Sequence, residues 1–316
     1  MKIKLAILLF LFAPTFLMKS SGQSFTGQVL DSKTRKALAY VNIGIPSAGL
    51  GIITDEEGRY TLPLDPEFST DTIQFSYIGY KSVLIPVSDF MKTYLTPASS
   101  FLMEEKAYNL SEVTVRPKKG VKEVMGNTIS KVKPDDCVAI IDLLDSAVTK
   151  AQNDTLNTKK RKRKPNSYAE KHVEVGTLFE IKKRYTYIDK IQIQFCEAAF
   201  DSVKLRLNIY CELEDHKVKG ILKVFTKYTN VLKSPVYFTV HKNATLVEID
   251  LSAYNIGVSD DFIVAIETLK TEDNKKIMIP AETSFGGEPM VIHYTNGTPF
   301  VKLPIVKIGF SASISY

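Results

Sequence analysis

The side chains able to do acid, base or metal chemistry are few, and their spacing decides little in favour of catalysis. The chain of 316 residues has four histidines, His172, His216, His241 and His293. A zinc hydrolase needs two imidazoles and a carboxylate around one open coordination position, usually with a His and a Glu three residues apart. Three residues after the four histidines stand Val175, Lys219, Ala244 and Asn296, so neither that spacing nor H-E-x-x-H occurs. A nucleophile elbow is also missing, because Gly309-Phe310-Ser311-Ala312-Ser313 fails at its last position. No phosphate-cradling glycine loop or C-x-x-C pair is present. We therefore expect no enzyme, no cofactor and no metal.

Two other constellations could bind. Lys159, Lys160, Arg161, Lys162, Arg163 and Lys164 form an unbroken basic run, equal on its own to the formal net charge of +6. Lys2, Lys4 and Lys19 lie in the leader, so the remainder is net acidic and a broad nucleic-acid face is not expected. The basic run suits salt-dependent contact with anionic lipid or lipopolysaccharide phosphates; the alternative is a solvated linker. Tyr185, Tyr187, Tyr210 and Tyr294 are the candidates for stacking on a sugar in a chain without Trp, or else core residues.

The elements that must carry these groups are strands. At the front, Lys2 and Lys4 precede an apolar run from Leu5 to Leu17 and small residues at Ser20, Ser21 and Gly22, which suits a cleaved export signal over residues 1–22. The run is too short to span a bilayer comfortably, and no transmembrane span is expected in the mature chain. From 23 to 104 short β-branched and aromatic runs alternate with turn residues, with strands expected at 25–30, 39–45, 59–64, 72–78 and 81–86, and another at 110–115. Ile73, Phe75 and Tyr77 share one face; Gln74 and Ser76 share the other.

In Gly51-Ile52-Ile53-Thr54-Asp55-Glu56-Glu57-Gly58-Arg59-Tyr60, Asp55 can accept from nearby backbone N–H groups while Gly58 closes the hairpin. With Asp31-Ser32-Lys33-Thr34 before Leu38, and Ser76-Tyr77-Ile78-Gly79-Tyr80-Lys81, this run resembles the carboxypeptidase-regulatory-like domain. Ala37 and Ile52 depart from the usual Pro and Thr or Ser. The resemblance implies a seven-strand transthyretin-like sandwich with structural turns at Asp55, Gly58 and Gly79. Such domains sit beside zinc carboxypeptidases, in front of TonB-dependent transporters and in Gram-negative envelope proteins, so fold alone assigns no activity.

Residues 105–170 suggest a linker holding the basic loop and one helix over 136–151, because Cys137, Ile141, Leu144, Val148 and Ala151 fall on one face. From 171 to 316 alternation returns. Leu205, Leu207, Ile209, Cys211 and Leu213 face one way and Lys204, Arg206, Asn208, Tyr210 and Glu212 the other, with similar runs at 187–195, 235–241, 245–251, 261–268 and 305–315. Val175-Gly176-Thr177, Phe200-Asp201-Ser202-Val203 with Arg206 to Tyr210, and Val247-Glu248-Ile249-Asp250-Leu251 with Tyr254 resemble a sandwich of unknown function that often follows the first domain in envelope proteins. The expectation is an all-β chain whose second unit is jelly-roll-like. With three cysteines, a Cys196–Cys211 bridge is conceivable, but buried free thiols are the preferred reading.

These features point to an exported interaction protein of the periplasm or outer membrane, its partner an envelope protein or surface glycan. The alternatives are a carbohydrate-binding module or an accessory component of a TonB-dependent uptake system.

Overall fold

A turn built on one carboxylate opens the first domain. Asp31 accepts from the backbone N–H groups of Lys33 and Thr34, the Thr34 hydroxyl and the Tyr80 hydroxyl. It ends β1 (Gln23–Asp31). Then come β2 (Asn42–Ile45), β3 (Leu50–Ile53), β4 (Arg59–Leu64), β5 (Thr72–Ser76), β6 (Val83–Pro86), helix α1 (Val87–Thr93) and β7 (Ser99–Met103). The computed structural model describes residues 23–94, 99–106, 121–140, 173–183, 185–196, 201–217, 223–269, 277–294 and 298–316.

These seven strands form two sheets, β4-β1-β7 and β3-β2-β5-β6. Their inner faces bury Phe25, Val29, Ile43, Leu62, Phe75 and Phe101, with Phe75 and Phe101 stacked at 3.8 Å. At the tight turn Asp55 accepts from the N–H groups of Glu57 and Arg59. Gly58 takes φ 72° there, and a Cβ on it would stand 2.8 Å from the Val29 carbonyl, so glycine is required on two counts.

The second domain starts earlier than the sequence suggests. Residues in the expected linker contribute β8 (Lys122–Gly126) and β9 (Cys137–Ala139), each paired to a strand from the far end of the chain. Then follow β10 (Val173–Phe179), β11 (Thr186–Gln194), β12 (Ser202–Lys217), β13 (Lys223–Asn230), β14 (Val236–His241), β15 (Leu246–Asp250), β16 (Ile256–Val258) and β17 (Phe262–Thr268). The last five are β18 (Met278–Thr283), β19 (Met290–Tyr294), β20 (Phe300–Leu303), β21 (Val306–Ile308) and β22 (Phe310–Ser315).

A seven-stranded sheet, β13-β20-β19-β10-β17-β12-β14, packs on a second sheet ordered β15-β11-β22-β8, with β16 on β11. Leu205, Leu207, Ile209, Val264 and Ile266 meet Ile191, Ile193, Phe310 and Ala312 between them. A register shift between Ile188 and Lys190 resets the parity of β11, so Ile188 and Ile191 both point inward although three residues apart. The closing strand β22 lies within this sandwich, as its alternation suggests. Among the described residues no helix is long and apolar enough to cross a membrane.

Three expectations are corrected. The helix expected over 136–151 does not begin there: Pro134–Asp136 is a single 3-10 turn, and Cys137–Ala139 pairs with Met278–Pro280. Cys137, the first residue of the expected apolar face, lies in a sheet-edge strand instead, where tertiary pairing overrides local propensity. The remainder of that segment, like the leader, the basic run and the expected strand at 110–115, lies outside the described residues.

Two of the three cysteines, expected as buried free thiols, are bridged: the disulfide joins Cys137 to Cys196, not Cys196 to Cys211. Pairing of β9 with β18, together with the bond from Cys196 N–H to the Met278 carbonyl, brings the two sulfurs together. Cys211 stays a free thiol, pushed up to about 12 by burial. Finally, β3 and β7 complete the first domain where no strands were expected; Gly51 and the flanking polar residues hide their short periods.

Two outcomes follow from these links. The four donors hold Asp31 down from its ordinary 3.8 to about 2, the Thr34 N–H and hydroxyl foremost. A carboxylate with a lowered folded pKa stabilises above its unfolded pKa and loses that contribution as pH falls towards the folded value. Asp31→Asn should be less stable than the parent near neutral pH, with the gap closing between about pH 4 and 2 in urea unfolding. Closing a loop of 59 residues should contribute up to about 4 kcal/mol by chain entropy. The paired change Cys137→Ser with Cys196→Ser should therefore lose roughly 2–4 kcal/mol, and reductant should destabilise the parent alone.

Candidate functional site

The outer face of the seven-stranded sheet ought to meet water, yet its centre is buried under the first domain. Direct cross-strand pairing sets His293, Glu174, Glu267, Arg206 and Tyr237 in one row across β19, β10, β17, β12 and β14. Residues directly opposite in a ladder share a face, so five side chains distant in sequence become neighbours. Four of them, His293, Glu174, Glu267 and Arg206, are no more than 2% exposed.

Each charge in the row has a counterpart. The Arg206 guanidinium donates through Nε to Glu267 Oε2 at 2.7 Å, and its Nη2 lies 2.5 Å from the same oxygen. Burial works against the guanidinium's charge, and the Glu267 carboxylate more than restores it, leaving the Arg206 pKa above its ordinary value. Burial also raises the Glu267 pKa, with Arg206 opposing and Glu174 adding to the rise. Asn208 donates to both Glu174 and Glu267, and the Tyr210 hydroxyl donates to Glu174 at 2.9 Å. Burial first, and then the Glu174 carboxylate, lift the Tyr210 and Tyr228 phenols above their usual range.

The protons around His293 follow from what its neighbours can accept. Nδ1 lies 2.9 Å from the Thr298 carbonyl, which only accepts, so Nδ1 donates. Nε2 lies 2.5 Å from Glu174 Oε2, a contact that would be repulsive between two lone pairs. One proton is therefore shared between Nε2 and Glu174, and this pair is neutral overall whichever atom holds it. The Arg206–Glu267 pair is neutral too. The row buries four ionisable groups and no net charge, which is the condition for such burial to be tolerated.

The first domain closes over this row. The Arg206 Nη1 donates to the Tyr40 carbonyl at 2.7 Å. Tyr40 adopts φ 61°, a left-handed conformation costing about 1–3 kcal/mol for a non-glycine residue, and its carbonyl is thereby turned to the guanidinium. The Tyr40 ring packs edge-on against Tyr237 at 5.4 Å, with Lys204 Nζ over both rings. The expected turn glycine Gly79 also serves here: at φ 85°, a Cβ on it would stand 2.6 Å from the Lys233 carbonyl of the second domain.

Between the two polar faces remains a cleft of about 320 Å³, walled by Gln74, Ser76, Tyr77 and Tyr80 on one side and by Asn208, Tyr210 and Asn230 on the other. A larger depression of about 940 Å³ lies over the far end of the sheet. It is open and rimmed by the exposed ion pairs Lys223–Asp215 and Lys227–Glu214.

The four expected stacking tyrosines do not form one platform. Tyr185 is 73% exposed, Tyr187 is buried, and Tyr210 lies in the carboxylate network; the Tyr294 side chain is outside the described residues. Glu174, Arg206, Asn208, Glu267 and His293 went unnoticed as a site because motif spacing along one chain is blind to cross-strand register. One signal was present: Phe262 to Ile266 runs apolar without alternation, as a strand covered on both faces does. Among the described residues no group of three or more His, Cys, Asp or Glu could hold a metal ion.

Residues 25–115 match the model of the CarboxypepD_reg-like domain. The N-terminal sandwich is a CarboxypepD_reg-like domain. No curated protein matches the chain. Among solved structures it is similar to the cysteine protease and lectin-like domains of Cwp84, a surface layer associated protein of Clostridium difficile. That likeness has 14% identity and a TM-score of 0.32, covering 46% of this chain and 32% of the other. It is also similar to a Bacteroides uniformis protein described as a candidate carbohydrate binding protein, with 11% identity and a TM-score of 0.17, covering 90% and 97% of the two chains. Likenesses this loose leave the docking of the CarboxypepD_reg-like domain to be understood from this chain's own residues.

The network makes a sharp energetic statement. Arg206→Met alone strands the Glu267 carboxylate in a buried site and should cost about 3–5 kcal/mol. Arg206→Met combined with Glu267→Leu should recover most of that loss, as a denaturant-unfolding double-mutant cycle will show.

Proposed function

We propose that the protein is an exported, non-enzymatic interaction protein of the cell envelope, its CarboxypepD_reg-like domain docked on the second sandwich so that the pair recognises a partner as one unit. The observation that carries this reading is how the buried row spends its polar atoms. Glu174 accepts from Asn208, Tyr210 and His293, and Arg206 is shared between Glu267 and the Tyr40 carbonyl. The groups best suited to acid or base work are thus tied to one another and to the domain junction. A catalytic acid or base must instead reach the proton it transfers.

The bridge between Cys137 and Cys196 supports export, since structural disulfides persist in oxidising compartments. The apolar leader ending near Gly22 supports it from the sequence side. Fractionation of cells that make the protein, followed by N-terminal sequencing, tests the proposal. The expected result is an envelope-fraction chain beginning close to Gln23 with Cys137 and Cys196 oxidised. Recovery in the cytosol with Met1 retained and both thiols free would overturn it.

A further inference from the structure

We propose that the cleft at the domain junction is a binding site for a neutral sugar, held between the polar face of the first domain's four-stranded sheet and the buried row of the second. The proposal builds on the non-enzymatic interaction role above and names its ligand class. It starts from atoms left without partners at the junction. Glu267 Oε1 and Asn42 Oδ1 are both buried and make no hydrogen bond, and both residues wall the cleft. A buried carboxylate oxygen without a donor costs several times what a satisfied one contributes, and such atoms cluster where a ligand completes the network. Both can only accept, so the ligand must donate.

The surrounding chemistry narrows the donor. Asn42 and Ser76 lie directly opposite each other on β2 and β5, and Gln74 lies one step further along the same face. The Gln74 amide and Ser76 hydroxyl are committed to no partner among the described residues, and each can both donate and accept. That pairing of roles matches a run of hydroxyl groups better than an ion. An ammonium or metal ion is disfavoured on charge, because the row beneath the cleft is already neutral, pair by pair.

Tyr77 and Tyr80 supply the apolar surface that the C–H face of a sugar ring needs. Their rings stand 5.3 Å apart, and both hydroxyls are anchored, Tyr77 at 3.4 Å from the Tyr237 hydroxyl and Tyr80 on Asp31 at 2.9 Å. Held this way, the rings lose little freedom on binding. The 320 Å³ is at the small end of ligand pockets and has room for about one or two sugar rings. Gln74 and Ser76 make first contact, and binding requires the cleft walls to part for hydroxyls to reach the two shielded oxygens.

Calorimetric titration of the full chain against glucose, galactose, mannose, xylose and their β-linked dimers tests this, with glucosamine, glucuronic acid and a dipeptide as contrasts. The expected result is saturable binding of a neutral sugar. It should fall about tenfold or more in Tyr77→Ala and be abolished in Ser76→Trp, which fills the cleft. Tyr185→Ala, far from the cleft, should bind as the parent does, and circular dichroism should show each variant folded. Gln74→Ala, which breaks no internal bond, is the second test should Tyr77→Ala unfold. No saturable binding of any neutral sugar would overturn the proposal; so would binding that survives Ser76→Trp, or binding confined to the amine, acid or peptide. Release of hydrolysed product from a bound dimer would keep the site and overturn the non-enzymatic reading instead.

Discussion

Two carboxylates placed side by side on adjacent strands cannot both be buried unless positive charge is brought to them, and that constraint organises the molecule. Glu174 and Glu267 face each other across β10 and β17. Arg206 answers one from β12 and His293 the other from β19, so four strands of the sheet are fixed relative to one another by charge as well as by the backbone ladder. A wet outer face would screen these charges and make the arrangement nearly worthless; covered by a second domain, it becomes strong and demanding. The first domain is therefore held by more than shape. It presents a carbonyl, at Tyr40, to the guanidinium from a left-handed backbone conformation.

Seen in this way, the junction is a polar interface between two apolar cores. Each sandwich excludes water from its own interior, and each turns its hydrophilic strand face towards the other. Such an interface sets orientation sharply, because a rotation of one domain would take the Tyr40 carbonyl away from the buried guanidinium and leave a donor unsatisfied. It is also a natural place for a cleft, since polar side chains of unequal length do not interdigitate as aliphatic ones do.

Much of this was legible in the chain. The alternation of Ile73 and Phe75 with Gln74 and Ser76 divided β5 into its two faces, although Tyr77, expected on the apolar side, walls the cleft beside Ser76; the same reasoning put Arg206, Asn208 and Tyr210 opposite Leu205, Leu207 and Ile209. The turn at Asp55 and Gly58 was readable because its chemistry is local. What periodicity did not reveal was that the polar side of β12 would be covered, since a period of two says which residues share a face and nothing of what lies over it. The pairing of Cys137 with Cys196 escaped for a related reason: it depends on β9 joining the edge at β18, a contact made across 139 residues of chain. His293 and Glu174 are similarly far apart in sequence and adjacent only through register.

The bridge has a topological effect on the stretch between its ends. Residues 138–195, including the run of basic side chains that proteases of tryptic specificity favour, lie inside a covalent ring closed by Cys137 and Cys196. A single cut anywhere in that ring leaves one molecule, not two: the CarboxypepD_reg-like domain stays attached to the β-sheets that follow, and the nick is invisible by size until the sulfurs are separated. Wherever proteases reach the chain, this makes the segment expendable as a connection.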